Sequence, residues 1–117
     1  MTLSVNAYYI DSDGNEVDIA FPSESTANNV AGFESCRNTF YGSDQVKELG
    51  LNLLPLLKNQ AVIYAEGDEL ETLQSEINIL LSNLEKFDEI YWGFRLNNIL
   101  TAIKLAKNFK NGRVSIG

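Results

Sequence analysis

Residues 68–106 carry two successive apolar stripes at helical spacing, and no other feature limits the possible folds as tightly. In the first stripe Leu70, Leu73, Ile77, Leu80, Leu81, Leu84 and Phe87 recur at the 3.6-residue period. They predict a helix from Asp68 to about residue 87, the longest in the chain, with Asp68 and Glu71 at capping-box spacing. In the second, Trp92, Leu96, Ile99, Leu100, Ile103 and Ala106 fall within one arc of about 120°. Asp88 or a neighbour starts this helix and Asn111-Gly112 stops it. So short a junction predicts an antiparallel helical hairpin. The acid-rich start of the first helix then lies near the lysine-rich end of the second, and each charge cluster also suits its own helix dipole.

The rest of the chain must cover those stripes. Residues 3–10 and 15–21 alternate as a β-hairpin around Asp11-Ser12-Asp13-Gly14-Asn15, and Pro22 ends the second strand because it has no N–H for a ladder. Residues 23–42 are polar and carry no clear period; if ordered, they are anchored by Phe33, Phe40 and Tyr41. Ser43 reads as the N-cap of a short helix with Val46 and Leu49 inward and Gly50 as its stop, and Asn52 as the cap of another with Pro55 in its first turn. Leu51, Leu53, Leu54, Leu56 and Leu57 form the densest apolar patch, a core segment. Ala61–Ala65 reads as a buried inner strand, and Val114-Ser115-Ile116 as a short last strand. At 117 residues the chain fits one domain, residues 1–117, of the α+β class.

Composition removes most chemistries. There is no histidine and one cysteine, Cys36, which excludes a disulfide framework, zinc sites of the Cys/His type and any Ser-His or Cys-His nucleophile pair. Arg37 beside Cys36 could activate a thiol, but without a histidine base a half-buried structural cysteine is the better reading. Neither a Walker sequence nor Gly-x-Gly-x-x-Gly occurs. The start of the chain lacks a basic, apolar leader, and no apolar run approaches the roughly 20 residues of a membrane helix, so the expected compartment is the cytoplasm.

Charge is segregated. All 16 acidic residues lie in residues 1–89 with only Arg37, Lys47, Lys58 and Lys86, a balance of −12; residues 90–117 hold Arg95, Lys104, Lys107, Lys110, Arg113 and no acid, a balance of +5. A net charge of −7 predicts no phosphate-backbone footprint and no direct nucleic-acid binding. Asp11, Asp13 and Asn15 alternate as calcium ligands do, but an EF-hand count from Asp11 puts Glu16 and Pro22 where glycine and a bidentate acid belong, so a turn accounts for them. Glu66, Asp68, Glu69 and Glu71 place four carboxylates in six residues; they favour a helix N-terminus and form the candidate contact for a basic protein partner. Trp92 reads as core packing. Tyr91, Phe94, Leu105 and Phe109 fall away from the core arc, so either this chain covers them or a second copy does, as a homodimer interface. No catalytic residue, metal or cofactor is expected.

The segments Phe40-Tyr41-Gly42-Ser43, Leu49-Gly50-Leu51, Leu53-Leu54-Pro55, Glu66-Gly67 with Leu70 and Leu73, Asn98-Ile99 with Ala102, Ile103 and Ala106, and Gly112–Gly117 resemble a group of uncharacterised small acidic bacterial proteins of cyanobacterial type. The resemblance covers about residues 40–117 and implies a small intact domain, with no activity attached. Three classes of function stay open. The first is a non-enzymatic acidic protein-binding module, an inhibitor or immunity-type protein acting on a basic partner, phage-encoded inhibitors of defence included. The second is a small carboxylate-based enzyme or ligand-binding domain, and the third a structural homo-oligomer.

Overall fold

The computed structural model describes residues 2–23 and 26–117. Its strands are β1 (Thr2–Ile10), β2 (Glu16–Ile19), β3 (Val30–Phe33), β4 (Ile63–Glu66) and β5 (Gly112–Ile116); its α-helices are α1 (Asp44–Lys47), α2 (Asp68–Leu81) and α3 (Glu89–Lys107). A π turn at Arg37–Tyr41 and 3-10 turns at Leu54–Lys58 and Leu84–Lys86 complete the α+β architecture. All strand pairs are antiparallel, in the order β2-β1-β5-β4, with β3 also on β1. The nine-residue β1 takes β2 along Ala7–Ile10 and β3 along Thr2–Ser4, and its register with β3 shifts between Leu3 and Ser4.

Alternation along the strands sends two sets of side chains to opposite faces. Leu3, Val5, Ala7, Ile63, Ala65, Val114 and Ile116 point inward and join one core with the apolar stripes of α2 and α3. Leu73, Ile77, Leu80, Leu96, Ile99 and Ile103 are almost completely buried there, each worth roughly 1.5–3 kcal/mol of transfer free energy. Asp88 caps α3, its carboxylate accepting from Tyr91 N at 3.1 Å, and Ser43 caps α1 by accepting from Val46 N. Lys107, the last residue of α3, meets Glu71 in the first turn of α2 at 2.5 Å, as antiparallel helices require. The chain then turns through Asn111 (φ 61°) into β5 so closely that a Cβ on Gly112 would lie 1.8 Å from Ala106 O.

Five expectations need correction. The segment at 61–65 is an edge strand rather than an inner one: Ile63 and Ala65 are buried, whereas Tyr64 is 60% exposed. The inner strand is the last one, β5, which pairs with both β1 and β4. The first long helix stops at Leu81, where Asn83 donates to Ile79 O and a 3-10 turn follows, so α3 with 19 residues is the longer. The N-cap of α2 is Gly67, and no Asp68–Glu71 capping box forms. Asn52 caps nothing with its side chain; Glu76, 4% exposed on α2, accepts the backbone N–H groups of Asn52, Leu53 and Leu54 at 2.9–3.1 Å. The second hairpin strand is also shorter, ending at Ile19.

Of the polar region 23–42, residues 24 and 25 lie outside the described residues, and residues 28–41 are held by contacts from elsewhere in the chain. Asn98, 6% exposed on α3, accepts from Asn28 N and donates to Asn28 Oδ1 and Val30 O. Tyr41 donates its hydroxyl to Ala31 O at 2.6 Å, and Arg37 donates to the carbonyls of Leu57, Gln60 and Ala61. Phe40 stacks on Trp92 at 3.6 Å between ring centroids, with Tyr41 and Phe87 edge-on, which confirms Trp92 as packing. Among the described residues no helix is long and apolar enough to cross a membrane.

Candidate functional site

The side of the sheet away from the core presents a polar and aromatic face built by strand register. One row across the sheet reads Asp18, Tyr8, Arg113, Glu66 over β2, β1, β5 and β4; the next reads Asn6, Ser115, Tyr64 over β1, β5 and β4. Glu16 lies opposite Ile10 beyond the first row. Neighbouring positions in a row are about 5 Å apart, so these side chains form one continuous surface. Arg113 pairs with Glu66 at 2.8 Å, while Glu16 and Asp18 make no ion pair among the described residues. Tyr8 is only 7% exposed although it lies outside the core; burial raises its hydroxyl pKa, and Glu16 raises it further against the opposing pull of Arg113. An open hollow of about 400 Å³ lies over this face, lined by Asn6, Tyr8, Glu16, Asp18, Tyr64 and Ser115 among others.

The four carboxylates singled out by sequence have unequal surroundings. All are exposed at the β4–α2 junction, but Glu66 is engaged by Arg113, and Glu71 by Lys107, which also reaches Gln74. Asp68 and Glu69 have no ion pair among the described residues. The basic C-terminal segment therefore folds back on the acidic run and neutralises half of it. What remains continues the acidic margin of the sheet face, since Glu66 belongs to both.

The four rings and side chains outside the core arc are dispersed among different neighbours. Tyr91 is half-buried: its hydroxyl accepts from Phe33 N at 3.2 Å, its ring meets Phe33 and Trp92, and the Arg95 guanidinium lies 4.1 Å above it. Leu105 packs on the core, and Phe109 stacks on Tyr9 at 4.7 Å. Phe94 is 59% exposed, next to Ile90 at 79% on the same side of the helix.

Other candidates resolve into structure. Asp11 Oδ1 accepts from Asp13 N and Asn15 N at 2.9 Å each, so the acidic loop is a turn closed by its own side chain. Cys36 is buried, and Arg37 is directed away toward Glu34 and the carbonyls near residue 60. Among the described residues no three acidic or cysteine side chains converge to hold a metal.

Sequence reading missed the sheet face as a unit. The alternation of Asn6 and Tyr8 with Val5 and Ala7 was legible, but which strands bring Tyr64, Ser115 and Asp18 beside them depends on a sheet order no local pattern encodes. No family model matches the sequence. Nor does any curated protein or any solved structure prove detectably similar, and nothing in these comparisons bears on the resemblance noted for residues 40–117.

Proposed function

We propose that this protein is a non-enzymatic binding module, of the inhibitor or immunity type, that engages a basic protein through the outer sheet face and its acidic margins. The observation that carries this reading is the distribution of unpaired charge. Glu16 and Asp18 on one edge of the face, and Asp68 and Glu69 beyond the other, are exposed and free of ion pairs among the described residues, whereas Arg113 and Lys107 are engaged by Glu66 and Glu71. Such a field steers a basic partner and raises its association rate, while Tyr64 and the groups around it supply contact area for affinity. A carboxylate-based enzyme is less well supported, because its two carboxyls would need a protected cavity and Glu16 and Asp18 are both open to solvent.

The test is capture of partners from the native host's lysate, identification of a saturable one, and reconstitution from purified components. Association with a D68K/E69K variant should slow several-fold at low salt, and the difference should shrink as the Debye length falls toward about 3 Å near 1 M salt. Failure to find any saturable partner, or equal association rates for both proteins at every salt concentration, overturns the proposal. A structural homo-oligomer is the second reading, favoured by exposed Phe33, Ile90 and Phe94. It predicts a concentration-dependent dimer by light scattering that F94S dissociates.

A further inference from the structure

We propose that the pocket between α3 and the segment entering β3 binds a single carboxylate carried on a short apolar stem, with Arg95 as its anchor. The pocket holds about 280 Å³ and is lined by Thr26, Asn28, Val30, Phe94, Arg95 and Asn98. None of these residues lines the hollow on the outer sheet face, so the site goes beyond the protein-binding reading and does not depend on it. The chain has three arginines, all half-buried. Arg37 is paired with Glu34 and donates to three carbonyls, and Arg113 is held by Glu66 at 2.8 Å. Arg95 has neither an ion pair nor a hydrogen bond among the described residues, and its Nε is buried without a partner. Arg113 Nε is likewise buried and unpartnered, so what sets Arg95 apart is the missing carboxylate. In a chain with 16 acidic residues and 9 basic ones, that is out of place.

The Tyr91 ring, 4.1 Å from the Arg95 guanidinium carbon, attracts its charge but offers no lone pair to its N–H groups. The rest of the wall shows the same imbalance. Asn98 Oδ1 accepts from Asn28 N, and Asn28 Oδ1 accepts from both Val30 N and Asn98 Nδ2. Asn98 Nδ2 is spent on Asn28 Oδ1 and Val30 O. The side-chain amide acceptors of the pocket are therefore engaged within its own wall. What remains to be met is the Arg95 guanidinium, with the Asn28 side-chain N–H groups and the Thr26 hydroxyl beside it. No acidic residue lines the pocket. Its occupant must then be negative, rich in acceptors and compatible with an apolar side made by Val30 and Phe94, the latter 59% exposed. A carboxylate fits one guanidinium by the bidentate fork, and an apolar stem behind it packs on the Phe94 ring. A phosphate dianion needs more than one positive group in a protein of net charge −7, and a neutral amide forgoes the charge-assisted bonds.

The experiment titrates the 117-residue chain with 3-phenylpropionate, followed by two-dimensional NMR, with 3-phenylpropanamide and inorganic phosphate as controls. The acid should shift the Arg95 Nε–H and Asn28 side-chain amide signals saturably. The amide, which has the same shape without the charge, and phosphate should leave them unmoved. Arg95→Gln should weaken binding of the acid by about tenfold or more, since it removes the charge-assisted hydrogen bonds. Arg95→Lys keeps the charge and loses the fork; it should bind several-fold more weakly than the parent chain and more tightly than the glutamine variant. An otherwise unchanged spectrum checks that each variant is folded, and should Arg95→Gln fail that check, the lysine variant decides. A third arm separates the sources of such a carboxylate. N-acetyl-glycyl-phenylalanine carries the same group at a peptide terminus: tighter binding than 3-phenylpropionate makes a chain end the occupant, weaker binding a free small acid, and both keep the site. Shifts that do not saturate, equal shifts with the amide or with phosphate, or undiminished binding of the acid by folded Arg95 variants would each overturn the assignment and leave Arg95 as packing on Tyr91.

Discussion

Glu76 shows how one side chain can organise a segment distant in sequence. Its carboxylate is the shared acceptor for three consecutive backbone N–H groups, Asn52 to Leu54, at the entrance to a 3-10 turn whose own N-cap position is a leucine. Replacing it with alanine leaves those donors without a partner in a buried site and should destabilise the fold by about 3–5 kcal/mol, whereas Glu76→Gln, which keeps one oxygen acceptor, should cost less than half of that. Urea unfolding of both variants checks the ranking; equal losses would mean the volume of the side chain matters and its oxygens do not. The signal was present in the sequence, because position 76 lies inside the Leu73–Ile77–Leu80 stripe where a charge is out of place. What could not be read was the destination of that charge, which depends on where residues 52–54 come to rest. Tyr41 carries a second prediction at this scale. Complete burial holds its hydroxyl pKa well above the ordinary 10.0, with smaller contributions from Cys36 and Tyr91 in the same direction. The unfolded chain therefore releases that proton near pH 10 while the folded chain retains it, so the stabilisation is intact below pH 10 and is lost as pH rises toward the folded pKa. Stability should fall by about 1.4 kcal/mol per pH unit for such a group. Tyr8 and Tyr91 act in the same sense. Denaturation from pH 9 to 11 should show a shallower decline for Y41F, and an unchanged slope would assign the alkaline loss to other groups.

Secondary-structure elements were legible where their signals are local and opaque where they depend on partners. Ser43 and Asp88 were recognisable as caps because capping is decided within four residues, and both caps are present. Asp68 has the same spacing to Glu71 that a capping box needs, yet Gly67 at φ 57° takes the N-cap position and the side chain bond is not made. The two aspartates should therefore respond differently. Asp88→Ala should cost about 1 kcal/mol, while Asp68→Ala should cost only a few tenths, the residual dipole interaction. Thermal or urea unfolding separates the two, and equal costs would return Asp68 to a capping role. The residues outside the core arc divide in a similar way. Leu105→Ser and Phe109→Ser break contacts with the core and with Tyr9, so both should lower stability, whereas Phe94→Ser should leave the monomer's stability nearly unchanged. Region 23–42 resisted reading because β3 is only Val30-Ala31-Gly32-Phe33, too short to show a period, and its position is set by Asn98 and Tyr41 from elsewhere in the chain.

At the scale of the molecule, the two ends of the sequence make the middle of the sheet. Val5 is opposite Ile116 and Tyr9 opposite Gly112, so β1 and β5 meet only after nearly the whole chain has been brought together. β4 has no strand partner other than β5 among the described residues, and the hairpin reaches β4 only through it. The five residues of β5 thus join the N-terminal hairpin to β4 and place Val114 and Ile116, both almost fully buried, beneath the helices. Sequence periodicity marked this strand as short and last, which is true of its length and misleading about its place, since sheet order follows from long-range pairing that leaves no local trace. Removing residues 112–117 should therefore do far more than fray an edge. The hairpin and β4 would be separated, Arg113 would no longer hold Glu66, and two core positions would be emptied. The truncated chain should lose its dispersed NMR spectrum and its cooperative unfolding transition while α-helical circular dichroism partly persists. Removal of β2 is the informative contrast: it is an edge strand of four residues with none fully buried. Replacing both Val17 and Ile19 by threonine should lower stability and leave the transition cooperative. If the chain lacking β5 still unfolds in one sharp step, the central strand is dispensable and the helices carry the fold alone. If it does not, a contact between residues at opposite ends of the sequence holds the sheet face together, and with it the row that aligns Asp18, Tyr8, Arg113 and Glu66.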